Sequence, residues 1–121
     1  MNNVLNIKRE ELKRVKQILK HCIPGIKVQA FGSRTNNTAK SYSDLDLAVM
    51  TEQPLSLHQG AMLTEAFEES DLPYKVDIID WSTISESFRK LIEPSLIDIT
   101  NYNNNEKNND YTINAGCISG N

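Results

Sequence analysis

A small α/β domain is what this sequence predicts, and three observations predict it. Apolar residues recur at helical spacing in three stretches, three short runs between them read as strands, and the two kinds are interleaved along the chain. The resulting order is helix, strand, strand, helix, strand, helix. It gives a short mixed sheet with helices packed mainly on one face, so the other face is partly open.

The first helix lies in "IKREELKRVKQILKHC", where Leu12, Val15, Ile18, Leu19 and Cys22 form a stripe opposite a charged face. Pro24 and Gly25 stop it. "IKVQAF" follows as a strand, with Ile26, Val28 and Ala30 on one side. In "DLDLAVM", Leu45, Leu47 and Val49 point one way while Asp44, Asp46 and Ala48 point the other. "SLHQGAMLTEAFEES" places Leu57, Ala61, Leu63, Ala66 and Phe67 at helical spacing, and "YKVDIIDW" is the third strand. The last helix is expected within "STISESFRKLIEPSLIDI", on Ile84, Phe88, Leu91 and Ile92, with Ser82 as its N-cap.

Composition bounds the rest. The chain has 121 residues, enough for one small core. Residues 1–100 are expected to fold as that domain. Residues 101–121 are rich in Asn and poor in large apolar side chains, which predicts a mobile tail, in part a frameshift artefact or else a partner-binding arm. A net charge of −3 argues against direct nucleic-acid binding. Cys22 and Cys117 make no disulfide framework, and no long apolar span is present, so a reduced, cytoplasmic setting without membrane contact is expected. His21 and His58 lack metal-ligand spacing, and Trp81 reads as a packing residue.

The chemistry concentrates in "FGSRTNNTAKSYSDLDLAVM". Two carboxylates at i and i+2 on a strand share a face. Alone, Asp-x-Asp describes an acidic, solvent-facing strand. Three features point further. Two serines, Ser41 and Ser43, lead into the pair with no apolar cover but Tyr42. Asp77 interrupts the apolar run "KVDIID", and with Val76 and Ile78 on the core face it must share the open face with Asp44 and Asp46. Gly32 and Ser33 follow a strand directly, where glycine lets the backbone approach a phosphate. Three convergent carboxylates suit Mg²⁺, which keeps part of its shell for water and substrate phosphates. A Gly-Ser anion loop beside a two-ion site describes nucleotidyl transfer.

These residues carry a resemblance. Gly32-Ser33, ten intervening residues, Asp44-Leu45-Asp46 and a later Asp77, within "FGSR", "SDLDL" and "SDLPYKVDIIDW", resemble the minimal nucleotidyltransferases of the polymerase-beta superfamily. The resemblance spans nearly the whole folded domain. It implies a polymerase-beta-like fold, with Asp44, Asp46 and Asp77 as the catalytic and Mg²⁺-binding triad, two ions, ATP as substrate, and Ser33 on the phosphates. Gly32, Arg34 and Ser43 complete the expected nucleotide-binding set. Arg34 has two readings, a triphosphate contact or a solvated loop arginine. Many relatives have glycine four residues after the serine; Asn37 stands there and tolerates positive φ best among the other residues. Proteins this small resemble the antitoxin half of HEPN/MNT toxin–antitoxin pairs, which implies AMP transfer to a tyrosine of a helical HEPN RNase toxin. The alternatives are a binding-only antitoxin and a transferase for small hydroxylated molecules.

Overall fold

Leu5 and Ile7 enter the core ahead of the first helix, α1 (Arg9–Cys22), whose stripe of Leu12, Val15, Leu19 and Cys22 is buried. The computed structural model describes residues 4–100; the expected tail at 101–121, with Cys117, lies outside the described residues. Glu11 folds back to accept the Lys8 N–H at 3.3 Å, occupying a donor that the helix start leaves unpaired. Pro24 and Gly25 end the helix as expected, with Gly25 at φ 82°.

Strand β1 (Val28–Phe31) leads into a 3₁₀ turn at Gly32–Arg34, and β2 (Leu45–Val49) returns antiparallel to it. Helix α2 (Leu57–Glu68) crosses over to β3 (Val76–Asp80), which therefore pairs with β2 in parallel. Ser56 caps α2 by accepting the Gln59 N–H at 3.0 Å. The sheet order is β3-β2-β1-β4, so β3 is an edge.

The main core gathers α1 and α2 onto one sheet face, with Val28, Ala30, Leu45, Leu47 and Val49 meeting Leu63 and Phe67. Val76 and Ile78 pack against the same cluster. Helix α3 (Glu86–Ile92) covers one end of the other face, where Phe31, Ala48 and Ile92 form a second cluster with Ile79, Trp81 and Phe88. The predicted class, a mixed sheet with helices mainly on one face, is the observed one. No described helix is long and apolar enough to cross a membrane.

The last element differs from expectation. Ser82 does not cap α3. Asp80 accepts from both the N–H and the hydroxyl of Ser82, at 3.1 and 2.7 Å, in a 3₁₀ turn at Trp81–Thr83. Ser85 caps the helix instead, accepting the Phe88 N–H at 3.1 Å. The helix stops at Ile92 because Pro94 brings no N–H and enters a 3₁₀ turn. Ile97–Asp98 then forms a fourth strand, β4, antiparallel to β1. Two expected stripe residues, Leu57 and Leu91, are 94% and 73% exposed.

Candidate functional site

Strand pairing brings two of the three acidic residues, Asp46 and Asp77, together. In the parallel β2–β3 register Asp46 stands opposite Asp77, so both side chains leave the same face about 5 Å apart at the backbone. Asp44 immediately precedes β2 and is exposed, while Asp46 is half-buried. Asp77 Oδ1 lies 3.4 Å from Lys75 Nζ, an exposed pair that contributes little stability. Burial, then the charges of Asp77 and Asp44, push the Asp46 carboxyl up to about 6.

The Gly32 turn presses against this carboxylate. Gly32 has φ 83°, a left-handed backbone, and a Cβ placed there would stand 2.6 Å from Asp46 Oδ2. Glycine is thus favoured by conformation, and a Cβ would in addition displace the Asp46 carboxylate. Gly32→Ala should cost about 1–2 kcal/mol from the backbone alone, lowering Tm by roughly 5–10 °C. A thermal melt matching wild type would contradict this packing. The turn is closed by the Thr35 N–H and hydroxyl, which donate to the Gly32 carbonyl at 3.0 and 2.9 Å. The Gly32 N–H donates to Ser95 Oγ at 3.4 Å. Ser33 contributes only its carbonyl to the turn, receiving the Thr38 N–H at 3.3 Å. Asn37 adopts φ 69°, the left-handed geometry that its position demands.

Arg34 departs from the solvated-loop reading of its sequence position. It is 4% exposed, so it is not a solvated loop residue. Its Nε donates to the Ser43 carbonyl at 2.9 Å, Nη1 to the Asn6 carbonyl at 3.0 Å, and Nη2 to the Ser41 carbonyl at 3.1 Å. Its guanidinium carbon lies 4.0 Å from the centroid of the Tyr74 ring. With donors and one face engaged inside the protein, it is not placed as a phosphate contact. Ser43, also expected to face nucleotide, uses its hydroxyl oxygen to accept the Lys40 N–H at 2.8 Å. Tyr74 donates to Glu11 Oε1 at 3.0 Å, and burial, followed by the Glu11 charge, pushes its hydroxyl well above the usual phenol range.

Asp80, three residues after Asp77, is a structural carboxylate that sequence reasoning passed over. It accepts from Thr51 Oγ1, from the Leu55 N–H at 2.7 Å and from Ser82. Burial alone would push it up, but the hydrogen bonds from Ser82, Thr51 and Leu55 outweigh that and hold it below the usual carboxylate range.

Among the described residues, no three or more acidic, histidine or cysteine side chains are gathered into a group that could hold a metal ion by themselves. The donor set nevertheless suits a hard divalent cation. All its atoms are carboxylate oxygens, and Mg²⁺ commonly uses one or two carboxylates together with water and phosphate oxygens. A cation beside Asp46 would also offset the like charges that raise its pKa.

The model of the family described as polymerase beta, nucleotidyltransferase matches residues 13–105. The chain belongs to this family. It is a nucleotidyltransferase enzyme of the minimal type. Over 88 residues it is 54% identical to a protein of Haemophilus influenzae named "Probable protein adenylyltransferase MntA", an alignment covering 73% of this chain and 77% of that relative. The family match at residues 13–105 spans the positions of Gly32, Ser33 and all three aspartates of the candidate site.

Proposed function

We propose that this nucleotidyltransferase transfers AMP from ATP to a tyrosine hydroxyl of a partner protein. The partner is a helical HEPN RNase toxin, and the chain acts in the cytoplasm as its antitoxin. The observation that supports the chemistry best is the in-register pair Asp46 and Asp77, with the Gly32 backbone packed against Asp46.

Asp44 and Asp46 would hold Mg²⁺ on the triphosphate side, and Asp77 on the acceptor side. When bound, the metal, two ions in this reading, supplies neutralisation of the triphosphate and activation of the attacking hydroxyl. Ser33, whose hydroxyl takes no part in closing the turn, would meet the phosphates. The tyrosine oxygen attacks the α-phosphorus, the bond to the bridging oxygen of the β-phosphate breaks, and pyrophosphate leaves. The phenolic proton passes to the Asp77 carboxylate.

A protein acceptor is favoured by the name of the relative, which is called a protein adenylyltransferase. The openness of the site agrees with it. Asp44 is exposed and Asp77 lies on an edge strand, so a macromolecule can bring its own hydroxyl to them. Co-expression with the proposed helical HEPN partner, followed by intact-mass spectrometry, should show the partner gaining the mass of one or more AMP groups on tyrosine. A partner that is fully inhibited yet unmodified would favour neutralisation by binding alone.

A further inference from the structure

The buried guanidinium of Arg34 touches none of the three aspartates in the bonds it makes, yet it joins the segments that carry them. Through Nε and Nη2 it holds the Ser43 and Ser41 carbonyls, and Lys40 O stands 3.5 Å from Nη2. These residues end directly at Asp44. Its face stacks on Tyr74, which lies three residues before Asp77. Nη1 and the Arg34 carbonyl both bond to Asn6, at 3.0 and 2.7 Å, and Tyr74 is tied in turn to Glu11 of α1. Arg34 also ends the 3₁₀ turn that sets Gly32 against Asp46. One side chain therefore spans the entrance to β2, the entrance to β3 and the glycine turn.

We infer that Arg34 is a positioning residue, fixing the spacing of Asp44 and Asp46 at the start of β2 and Asp77 on β3 so that they bind one Mg²⁺–nucleotide together. Only arginine offers a planar fork for several carbonyls and a flat face for an aromatic ring at once. Lysine keeps the charge but lacks the fork and the plane. A direct phosphate contact or a long-range charge effect would survive Arg34→Lys in large part, whereas positioning would not. This inference rests on the reading of the three aspartates as the metal–nucleotide site.

The test is calorimetric titration of ATP with Mg²⁺ into wild type and Arg34→Lys, well below the Tm of each, with circular dichroism as a check on folding. Arg34→Lys should weaken Mg²⁺-dependent ATP binding at least about tenfold, or roughly 1.4 kcal/mol. The residual Mg²⁺-independent binding should stay within about twofold of wild type. Tyr74→Leu leaves the carbonyl partners of Arg34 in place and removes the ring, together with the Tyr74 hydroxyl bond to Glu11. It should move binding in the same direction by about threefold, and it carries the test if Arg34→Lys does not fold. Equal Mg²⁺-dependent affinity in a folded variant, even with a lowered Tm, would overturn the inference and leave Arg34 a stability residue. Equal loss with and without Mg²⁺ would also overturn it, because the loss would then not be one of carboxylate and metal geometry. Wild type showing no Mg²⁺-dependent binding would instead overturn the reading of the site.

Discussion

Asp77→Asn is expected to separate nucleotide binding from transfer. The substitution keeps the shape of the side chain and removes its negative charge, and with it the capacity to accept the proton of the attacking hydroxyl. Asp44 and Asp46 remain to hold the metal on the triphosphate side. Mg²⁺–ATP binding should therefore stay within about tenfold, or roughly 1.4 kcal/mol. Transfer should fall by about 10²–10⁴-fold, the scale of a lost general base. Lys75, which faces Asp77 at 3.4 Å across an exposed pair, loses a partner of small energetic weight, so the fold should be unaffected. Single-turnover transfer to the partner protein, read beside ATP calorimetry on the same preparation, checks this. Transfer near the wild-type rate would mean that Asp77 is an acidic residue on an open sheet face and no part of the chemistry.

Removing both carboxylates at the start of β2, Asp44 just before it and Asp46 within it, should have a second large effect, with opposite signs for ligand binding and for stability. Asp44→Ala together with Asp46→Ala should abolish the Mg²⁺-dependent part of ATP binding. The same variant should melt higher than wild type in the absence of metal at pH 7.5. The folded protein holds the Asp46 carboxyl at about 6 against an ordinary 3.8, so its ionised form is disfavoured by folding. That unfavourable contribution is absent below about pH 4, grows as pH rises through the folded value, and is complete above about 6. The Tm advantage of the variant should accordingly fade as pH is lowered from 7.5 towards 4. A series of melts across that range checks the sign.

What the sequence revealed of the site, and what it hid, follows from the range of each interaction. The alternation of Leu45, Leu47 and Val49 with the aspartates is local, and so is the interruption of an apolar run by Asp77; both placed their residues on the observed face. The pairing of Asp46 with Asp77 depends on how α2 returns the chain, which no local pattern records. Asn37 at positive φ was legible because backbone geometry is a property of residue type. Arg34 was not legible. Its partners are backbone carbonyls, which every residue has, gathered from Asn6 and from residues 40–43, and an aromatic ring forty residues away in sequence. The cap of α3 was misplaced because Asp80, four-fold bonded at the end of β3, draws Ser82 into its own turn. Strand β4 escaped notice because it is two residues long and follows a helical stripe, although Pro94 marked the break.

The central claim is that Asp44, Asp46 and Asp77 form one site for a metal-bound nucleotide. Calorimetric titration of ATP into the wild-type protein, once with Mg²⁺ and once in excess chelator, tests it most directly. The like charges around Asp46 should oppose the triphosphate when no cation offsets them, so binding in chelator should be weak or absent, and Mg²⁺ should restore it. Equal ATP binding in both titrations would contradict the claim.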